Sequence, residues 1–258
     1  MILILIDMEV LSILPTPVAI IPCPFHDKLK ATVMDHIQGE DVNDLAYNVN
    51  SGNLKHIGHY SVLMDDIKYG RFRTWCEEQA LIFARDVKGD YIQEHIQVTD
   101  SWFNISGQGG HQHPHCHGNS YLSGVYYVNF NEEEHVPTHF TNSESLFQQM
   151  KPSLINLPIK YTNYNQDNKV MAKEGELLLF PSQVLHGYDL NQGENRITLS
   201  MNYMPTVLTN GDYGWRVVNL TRQEREKAFN ARTELSDHWG MNEGLNPPHG
   251  MKELPNPE

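Results

Sequence analysis

The sequence predicts a mainly β protein with flanking helices, built as a sandwich, jelly roll or barrel. Between residues 91 and 204, short runs rich in β-branched and aromatic residues alternate with Gly, Asn, Pro and Asp turns. Two segments before these runs show helical spacing instead. A chain of 258 residues is long enough for one domain with a sizeable core. We therefore expect a single domain over residues 1–258.

The N-terminal part, residues 1–90, is expected to support the sheet. Its first fourteen residues are apolar, but they lack a basic start and a small-residue cleavage site, and Asp7 and Glu9 interrupt them. We interpret this stretch as a buried strand rather than a signal or membrane segment. Apolar residues recur at helical spacing in residues 25–38 and 71–87, which predicts two helices.

The predicted β core spans residues 91–204, and residues 205–258 follow it. Within the core, the span 131–169 is polar and proline-containing, so we interpret it as an insertion with a strand or two of its own. After the core, Thr221 and Glu224 have the spacing of a capping box, which predicts a helix start. A loose tail is expected beyond Trp239. The core strands are predicted at residues 91–98, 101–106, 121–130, 169–172, 176–180 and 195–204.

Charge and cysteine content restrict the partners. The net charge of −13 argues against nucleic acid and anionic membranes, which both attract clustered Lys and Arg. A small-molecule or peptide substrate is the expected partner. Cys23, Cys76 and Cys116 are an odd number and have no metal-site spacing, which is typical of a reducing cytoplasm without disulfides. The oligomeric state stays open, a homodimer included.

Four histidines at alternate positions are the strongest chemical signal in the chain. In an extended segment alternate residues point to one side, and neutral imidazole is the commonest side-chain ligand of metals. Four of the 14 histidines within seven residues favour metal binding over a chance polar loop. Local spacing does not choose among the three successive pairs, and Cys116 between them is expected to be structural. The four are His111, His113, His115 and His117.

A second region adds a distant histidine and a polar strand face. An apolar run over residues 176–180 predicts a central strand, and His186 follows its end. In the next strand, Arg196, Thr198, Ser200 and Asn202 share one face. In a barrel interior, the Arg196 guanidinium would suit a ligand carboxylate. On a two-layer sheet, the same face would point to solvent and Arg196 would form a surface ion pair.

Four segments together resemble a known family. SWFNISGQGG, HCHGNSYLSGVYYV, GELLLFPSQVLHGY and ENRITLSMNY look like the 2-oxoglutarate- and Fe(II)-dependent oxygenases of the double-stranded β-helix fold, in particular a bacterial and phage group with an SGVYYV strand. The resemblance covers about residues 90–204, and its motifs are specific together but weak apart. It implies a single cupin-like jelly roll in which an HxD/E pair and a distal His hold Fe(II), with positions left for 2-oxoglutarate and O2.

The resemblance also implies roles for particular residues. By position before SGVYYV, the metal-binding pair is His115 and His117, with His111 and His113 as weaker candidates. His186 is the distal ligand. Arg196 would bind the distal carboxylate of 2-oxoglutarate. The helpers would be Thr198 and Asn104.

One departure from the family pattern concerns the metal ligands. The family has a carboxylate where this chain has His117, and no Asp or Glu occurs from residue 101 to 131. A three-His site is therefore expected, whose higher net charge would favour anionic co-ligands. In the alternative, His117 lies behind the ligands, and one of the acidic residues at positions 132–134 completes the site.

The expected function is a 2-oxoglutarate- and Fe(II)-dependent dioxygenase, acting as a hydroxylase on an unidentified substrate and releasing succinate and CO2. The alternatives are a three-His iron dioxygenase without 2-oxoglutarate and a non-catalytic metal-binding jelly roll. Trp102, Tyr126 and Tyr127 flank the proposed site and are expected in the core. Tyr126 and Tyr127 point to opposite faces, so at most one of them lines a cavity.

Overall fold

The computed structural model describes residues 17–39, 46–47, 51–57, 61–88, 95–141, 167–210, 212–221, 223–225 and 227–228. The predicted N-terminal strand, the middle of the predicted insertion and the tail beyond Trp239 lie outside these ranges. The strands are β1 (Ala19–Pro22), β2 (Ala46–Tyr47), β3 (Ser51–Ile57), β4 (Ile96–His115), β5 (Leu122–Asn129), β6 (His139–Thr141), β7 (Asp167–Lys169), β8 (Glu176–Pro181), β9 (Leu185–Tyr188), β10 (Arg196–Pro205), β11 (Val207–Asn210) and β12 (Tyr213–Arg216). The helices are α1 (His26–Gly39), α2 (Val62–Asp65) and α3 (Gly70–Lys88), with a 3-10 turn at Ile67–Tyr69.

A curled antiparallel sheet of ten strands forms the body of the protein. Its strand order is β1-β8-β5-β10-β4-β9-β6-β7, with β3 also paired to β4 and β2 to β3. The 20-residue strand β4 connects the two halves, since its first part pairs with β10 and its last residues pair with β9. The result is a mainly β jelly roll with few helices, and this confirms the predicted fold class.

The prediction of a break between strands at 91–98 and 101–106 is wrong, because β4 begins at Ile96 and continues without interruption through residues 101–106 into the histidine stretch. Asp100, expected in a turn, pairs opposite Asn202 of β10. Asn202 pairs with Asp100 and Tyr203 pairs with Val98, so Thr99 is an extra residue on β4, and this bulge accommodates the change of register without ending the strand.

Two helices cover one face of the sheet, as the spacing of residues 25–38 and 71–87 predicts. Apolar residues of β10 alternate towards this face and pack against α1 and α3. The apolar residues of α1 and α3 recur at helical spacing and lie on one face of each helix, and alternate residues of β10 lie on one face of the strand. These apolar faces pack together and form one buried cluster. The cluster includes Leu29 and Val33 of α1, Phe72, Cys76 and Ala80 of α3, and Ile197, Leu199, Met201 and Tyr203 of β10.

The opposite face of the same strands points into the jelly roll. A smaller apolar cluster lies there, including Tyr127, Phe140, Leu178 and Phe180. The polar residues at alternate positions of β10 are all buried on this side. The alternative prediction, that the polar face of β10 points to solvent on a two-layer sheet, is therefore wrong.

The capping box predicted after the β core is observed. Thr221 Oγ1 accepts a hydrogen bond from the Glu224 backbone N–H at 3.3 Å, and the Glu224 carboxylate accepts one from the Thr221 backbone N–H at 2.7 Å. This is the predicted capping box, and residues 223–225 are helical.

All three cysteines are free thiols. None of the described helices is long and apolar enough to span a membrane.

Candidate metal centre

Three histidines meet at the junction of β4 and β9. His115, the last residue of β4, lies directly opposite His186 of β9. His117 follows two residues later, and its backbone N–H donates to the Ser182 carbonyl at 2.9 Å. The potential ligand atoms of the three imidazoles all lie within 4.8 Å of one another. One ion would therefore be within reach of all three rings.

Each of the three rings is oriented by an oxygen on its Nδ1 side. His115 Nδ1 lies 3.0 Å from the His113 carbonyl, and His186 Nδ1 lies 2.9 Å from the Val184 carbonyl. His117 Nδ1 lies 2.6 Å from Asn202 Oδ1. Because carbonyl and amide oxygens only accept, Nδ1 carries the proton in all three rings. The Nε2 lone pairs are thereby left for a metal, and the rings are held in place for it.

Burial keeps these rings neutral. Desolvation lowers the pKa of His115 and His117, although hydrogen bonds to the His113 carbonyl and to Asn202 oppose the shift. Desolvation, followed by repulsion from His115, lowers the pKa of His186 to about 3. A metal binds only the neutral imidazole, so no proton has to leave these rings at neutral pH before an ion binds.

A glycine next to His186 allows β9 to approach β4 closely. A Cβ atom on Gly187 would lie 2.4 Å from the Gln112 carbonyl oxygen, a distance at which backbone would have to move. The absence of a side chain at this position therefore sets the separation of the two strands that carry His186 and His115.

Arg196 is a buried cation in the same pocket. Its side chain is 1 % exposed, its Nε donates to the Val136 carbonyl at 2.9 Å, and its guanidinium lies 4.0 Å above the Tyr188 ring. Within the described residues, no carboxylate lies at ion-pair distance from this guanidinium. A surface ion pair, the alternative expected for Arg196, is therefore excluded. A buried charge without an acidic partner favours an anionic ligand.

The three histidines and Arg196 line one pocket. Asn104 and Thr198 lie between them and face each other across β4 and β10. The Asn104 Nδ2 donates to Ser200 Oγ at 2.7 Å, whereas its Oδ1 is buried without a hydrogen-bond partner. All the residues that the sequence assigned to metal and co-ligand, except His111 and His113, are thus brought together.

The segment that holds this site matches a described family. Residues 100–202 match the family model described as "Putative 2OG-Fe(II) oxygenase". The resemblance seen in the sequence motifs is thereby confirmed for these residues. No curated protein is similar enough in sequence to match the chain.

Two solved structures share the fold of this chain. HygX from Streptomyces hygroscopicus, with nickel, 2-oxoglutarate and hygromycin B bound, is 13% identical, with a TM-score of 0.52 over 81% of this chain and 90% of HygX. The non-heme alpha ketoglutarate dependent epimerase SnoN, from nogalamycin biosynthesis, is 11% identical, with a TM-score of 0.53 over 81% of this chain and 92% of SnoN. At these identities the likeness shows the jelly-roll fold alone.

Other histidines and acidic residues of the β core and its loops lie outside the cluster. His113 is exposed and contributes only its backbone carbonyl, and the rings of His111 and His113 pack on each other at 5.1 Å. Cys116 is exposed. The acidic residues at positions 132–134 are exposed, and none of them belongs to the group that could hold an ion in the described part of the chain.

The aromatic residues divide between the two faces. Tyr126 packs with the helices, whereas Tyr127 belongs to the interior cluster, so the predicted opposition of these two rings is observed. Trp102 is buried as expected, but it also lines the pocket, with its ring centroid 5.9 Å from that of His117.

A hydrogen-bond network behind His117 was not found from the sequence. Ser123 Oγ lies 3.0 Å from His117 Nδ1 and donates to Asn202 Oδ1 at 3.1 Å, and Asn202 Nδ2 donates to Asp100 at 3.3 Å. Asn202 shares the polar face of β10 with Arg196, so its inward position was available as a signal. Asp100 lies one residue before the stretch without acidic residues.

Proposed function

We propose that this protein is a 2-oxoglutarate- and Fe(II)-dependent oxygenase with a three-His iron site. The observation that carries the proposal is the convergence of three oriented, neutral imidazoles in one pocket with a buried guanidinium that has no acidic partner among the described residues. The first group suits a divalent metal, and the second suits a dicarboxylate.

The donor set fits Fe(II). Imidazole nitrogen is a ligand that iron accepts, and the ligand atoms of His115, His117 and His186 lie close enough together to share one ion. Their backing oxygens fix the rings before an ion arrives, which lowers the entropic cost of binding. Three neutral ligands leave the full charge of the ion uncompensated, and a doubly charged anion such as 2-oxoglutarate would balance it.

The charge and hydrogen-bonding groups of the pocket lining also suit 2-oxoglutarate. Arg196 would bind its distal carboxylate, and Tyr188 below the guanidinium holds the side chain in place. Thr198 Oγ1 would donate a second hydrogen bond. Asn104 would do so after its amide turns over, because Ser200 Oγ can donate to Oδ1 as readily as it accepts from Nδ2, and the turned N–H then faces the ligand.

When bound, iron and 2-oxoglutarate supply the oxidation of a substrate C–H bond by O2, with release of succinate and CO2. The residues of the chain hold, orient and shield: His115, His117 and His186 fix the metal, Arg196 fixes the cosubstrate, and Phe180 excludes water beside His186, with ring centroids 4.6 Å apart. No side chain has to move a proton. Hydroxylation of a small molecule or peptide is the reaction we propose, since the charge of −13 disfavours nucleic acid.

An anaerobic titration tests this function. The metal-free protein receives Fe(II) and then 2-oxoglutarate, and the visible charge-transfer band of the iron-bound cosubstrate is recorded. We expect a band in the wild type and in the His113→Ala control, no band in His186→Ala, and a band in Arg196→Ala only at much higher 2-oxoglutarate. A wild type that binds no iron would refute the proposal.

The three-His set itself favours a second candidate, an iron dioxygenase that binds its substrate directly. In that case Arg196 would hold a carboxylate of the substrate. Iron binding without any band on addition of 2-oxoglutarate, together with O2 consumption that does not depend on 2-oxoglutarate, would select this candidate.

A further inference from the structure

Asp100 lies behind His117 at the end of a directed hydrogen-bond chain. His117 Nδ1 lies 2.6 Å from Asn202 Oδ1, and Asn202 Nδ2 donates to Asp100 Oδ2 at 3.3 Å. Asn202 is 4 % exposed and directly opposite Asp100 in the β4–β10 register. The chain therefore connects a proposed metal ligand to a carboxylate through one buried amide.

The direction of this chain is fixed at both ends. A carboxylate only accepts, so the Asn202 amide must turn its NH2 group to Asp100 and its oxygen to His117. Two hydroxyl groups support this orientation: Ser123 Oγ donates to Asn202 Oδ1 at 3.1 Å, and Thr99 Oγ1 donates to Asp100 Oδ2 at 3.1 Å. Negative charge at Asp100 polarises the amide and strengthens its bond to the His117 N–H.

His117 differs from the other two proposed ligands in the hydrogen-bond partner of its Nδ1 group. The Nδ1 groups of His115 and His186 are bonded to neutral backbone carbonyls. Of these three imidazoles, only that of His117 has a hydrogen-bonded route to a carboxylate among the described residues. His117 also occupies the position at which the oxygenase family that this sequence resembles has a carboxylate ligand. The negative charge that such a ligand would supply is instead at Asp100, two hydrogen bonds away from the His117 ring.

We propose that Asp100, acting through Asn202, is a positioning residue of the iron site that makes His117 a stronger donor to the metal. The proposal rests on the three-His site of the proposed function. It assigns to Asp100 the charge compensation that a carboxylate ligand would provide by direct contact. Removing such an outer partner of a ligating histidine typically weakens metal affinity by about 10–100-fold.

Equilibrium titration of the metal-free full chain with Fe(II) under anaerobic conditions tests this role. We expect the isosteric variant Asp100→Asn to bind Fe(II) about 10–100-fold more weakly than the wild type. The double variant Asp100→Asn/Asn202→Asp keeps the same two side-chain types and charge but moves the carboxylate onto His117 Nδ1, so we expect it to bind at least as tightly as the wild type. The Glu133→Gln control, at an exposed turn, should bind like the wild type.

A second measurement distinguishes donation from simple support of the fold. Because a weaker donor leaves iron poorer in electrons, the charge-transfer band with 2-oxoglutarate should move to shorter wavelength in Asp100→Asn and return in the double variant. Melting of the metal-free proteins shows whether each variant is folded, and the double variant decides the matter if Asp100→Asn alone does not fold.

The outcomes separate the two proposals. A wild type that binds no Fe(II) refutes the proposed function. A wild type that binds Fe(II), with Asp100→Asn binding equally tightly, overturns the role of Asp100 alone. A folded double variant that binds about tenfold or more weakly than the wild type overturns it as well.

Discussion

The two faces of strand β10 are built on opposite principles. Towards the helices, Ile197, Leu199 and Met201 are fully or almost fully buried among apolar side chains. Towards the pocket, Arg196 and Asn202 are buried to a similar extent but are polar, and hydrogen bonds and a stacked ring accommodate them. The comparison teaches that burial alone does not distinguish core from site here, whereas the chemistry of alternate residues does.

This separation assigns stability and binding to different residues of one strand. Apolar burial on the helix side contributes favourable free energy, whereas each buried polar group on the pocket side costs free energy unless it is paired. The predictions below compare the two faces directly, from the largest expected effect to the smallest.

Leu199→Ala should affect the helix side alone. Leu199 is 0 % exposed, so its truncation leaves a cavity and is expected to lower the free energy of unfolding by about 2–5 kcal/mol. Denaturant unfolding measures this change. Fe(II) affinity of the folded variant should equal that of the wild type, and a parallel loss of affinity would show that the two faces are coupled.

Acidification should weaken the pocket side. Burial lowers the folded-state pKa of His186 to about 3, against an ordinary value of about 6.5 for an unfolded chain. The unfolded state therefore takes up a proton first, and the stability of the metal-free protein should fall as pH drops from about 6.5 towards 3, by at most about 1.4 kcal/mol for each unit of the shift. His186→Gln should flatten this profile, and the exposed His113→Gln should not. Equal slopes for all three proteins would contradict the expectation.

Tyr126→Phe removes a polar contact from the otherwise apolar helix side. The Tyr126 hydroxyl lies 2.7 Å from His26 Nδ1, and the loss of this bond should cost about 1 kcal/mol in the free energy of unfolding. Thermal melting of the variant provides the measurement. Unchanged stability would mean that water replaces the hydroxyl at His26.

Thr198→Val should have the smallest effect on stability and a visible effect on binding. The Thr198 hydroxyl makes no hydrogen bond within the described part of the chain, so the free energy of unfolding should change by less than about 1 kcal/mol. If Thr198 assists Arg196, 2-oxoglutarate affinity should fall by about two- to tenfold, the contribution of one neutral hydrogen bond. Unchanged affinity in a cosubstrate titration would remove Thr198 from the binding site.

Much of the architecture could be predicted from the sequence because local periodicity reports burial. The spacing of α1 and α3 and the alternation along β10 identify the faces that pack together. The site residues His186 and Arg196 could be named because each lies at a strand end beside a recognisable motif. Their meeting in one pocket depends on the pairing of β4 with β9, which local patterns do not specify.

The parts that could not be predicted are those set by tertiary contacts. A turn at Asp100 was a reasonable expectation from composition, but the pairing with Asn202 keeps β4 extended. The hydrogen bond from Asn202 to Asp100 likewise joins residues about a hundred positions apart in the chain. Spacing alone did not choose among the histidine pairs; the family resemblance pointed to His115 and His117, and the folded sheet places His115 directly opposite His186.

The geometry of the proposed metal centre depends on the absence of a side chain at Gly187. Any larger substituent there must push β9 away from the Gln112 carbonyl, and His186 moves with its strand. All three imidazoles would still be present, yet they would no longer converge. Gly187→Ala would therefore change the distance between His186 and the other two histidines without replacing any of them. Larger side chains at this position would increase the separation of β9 and β4 further.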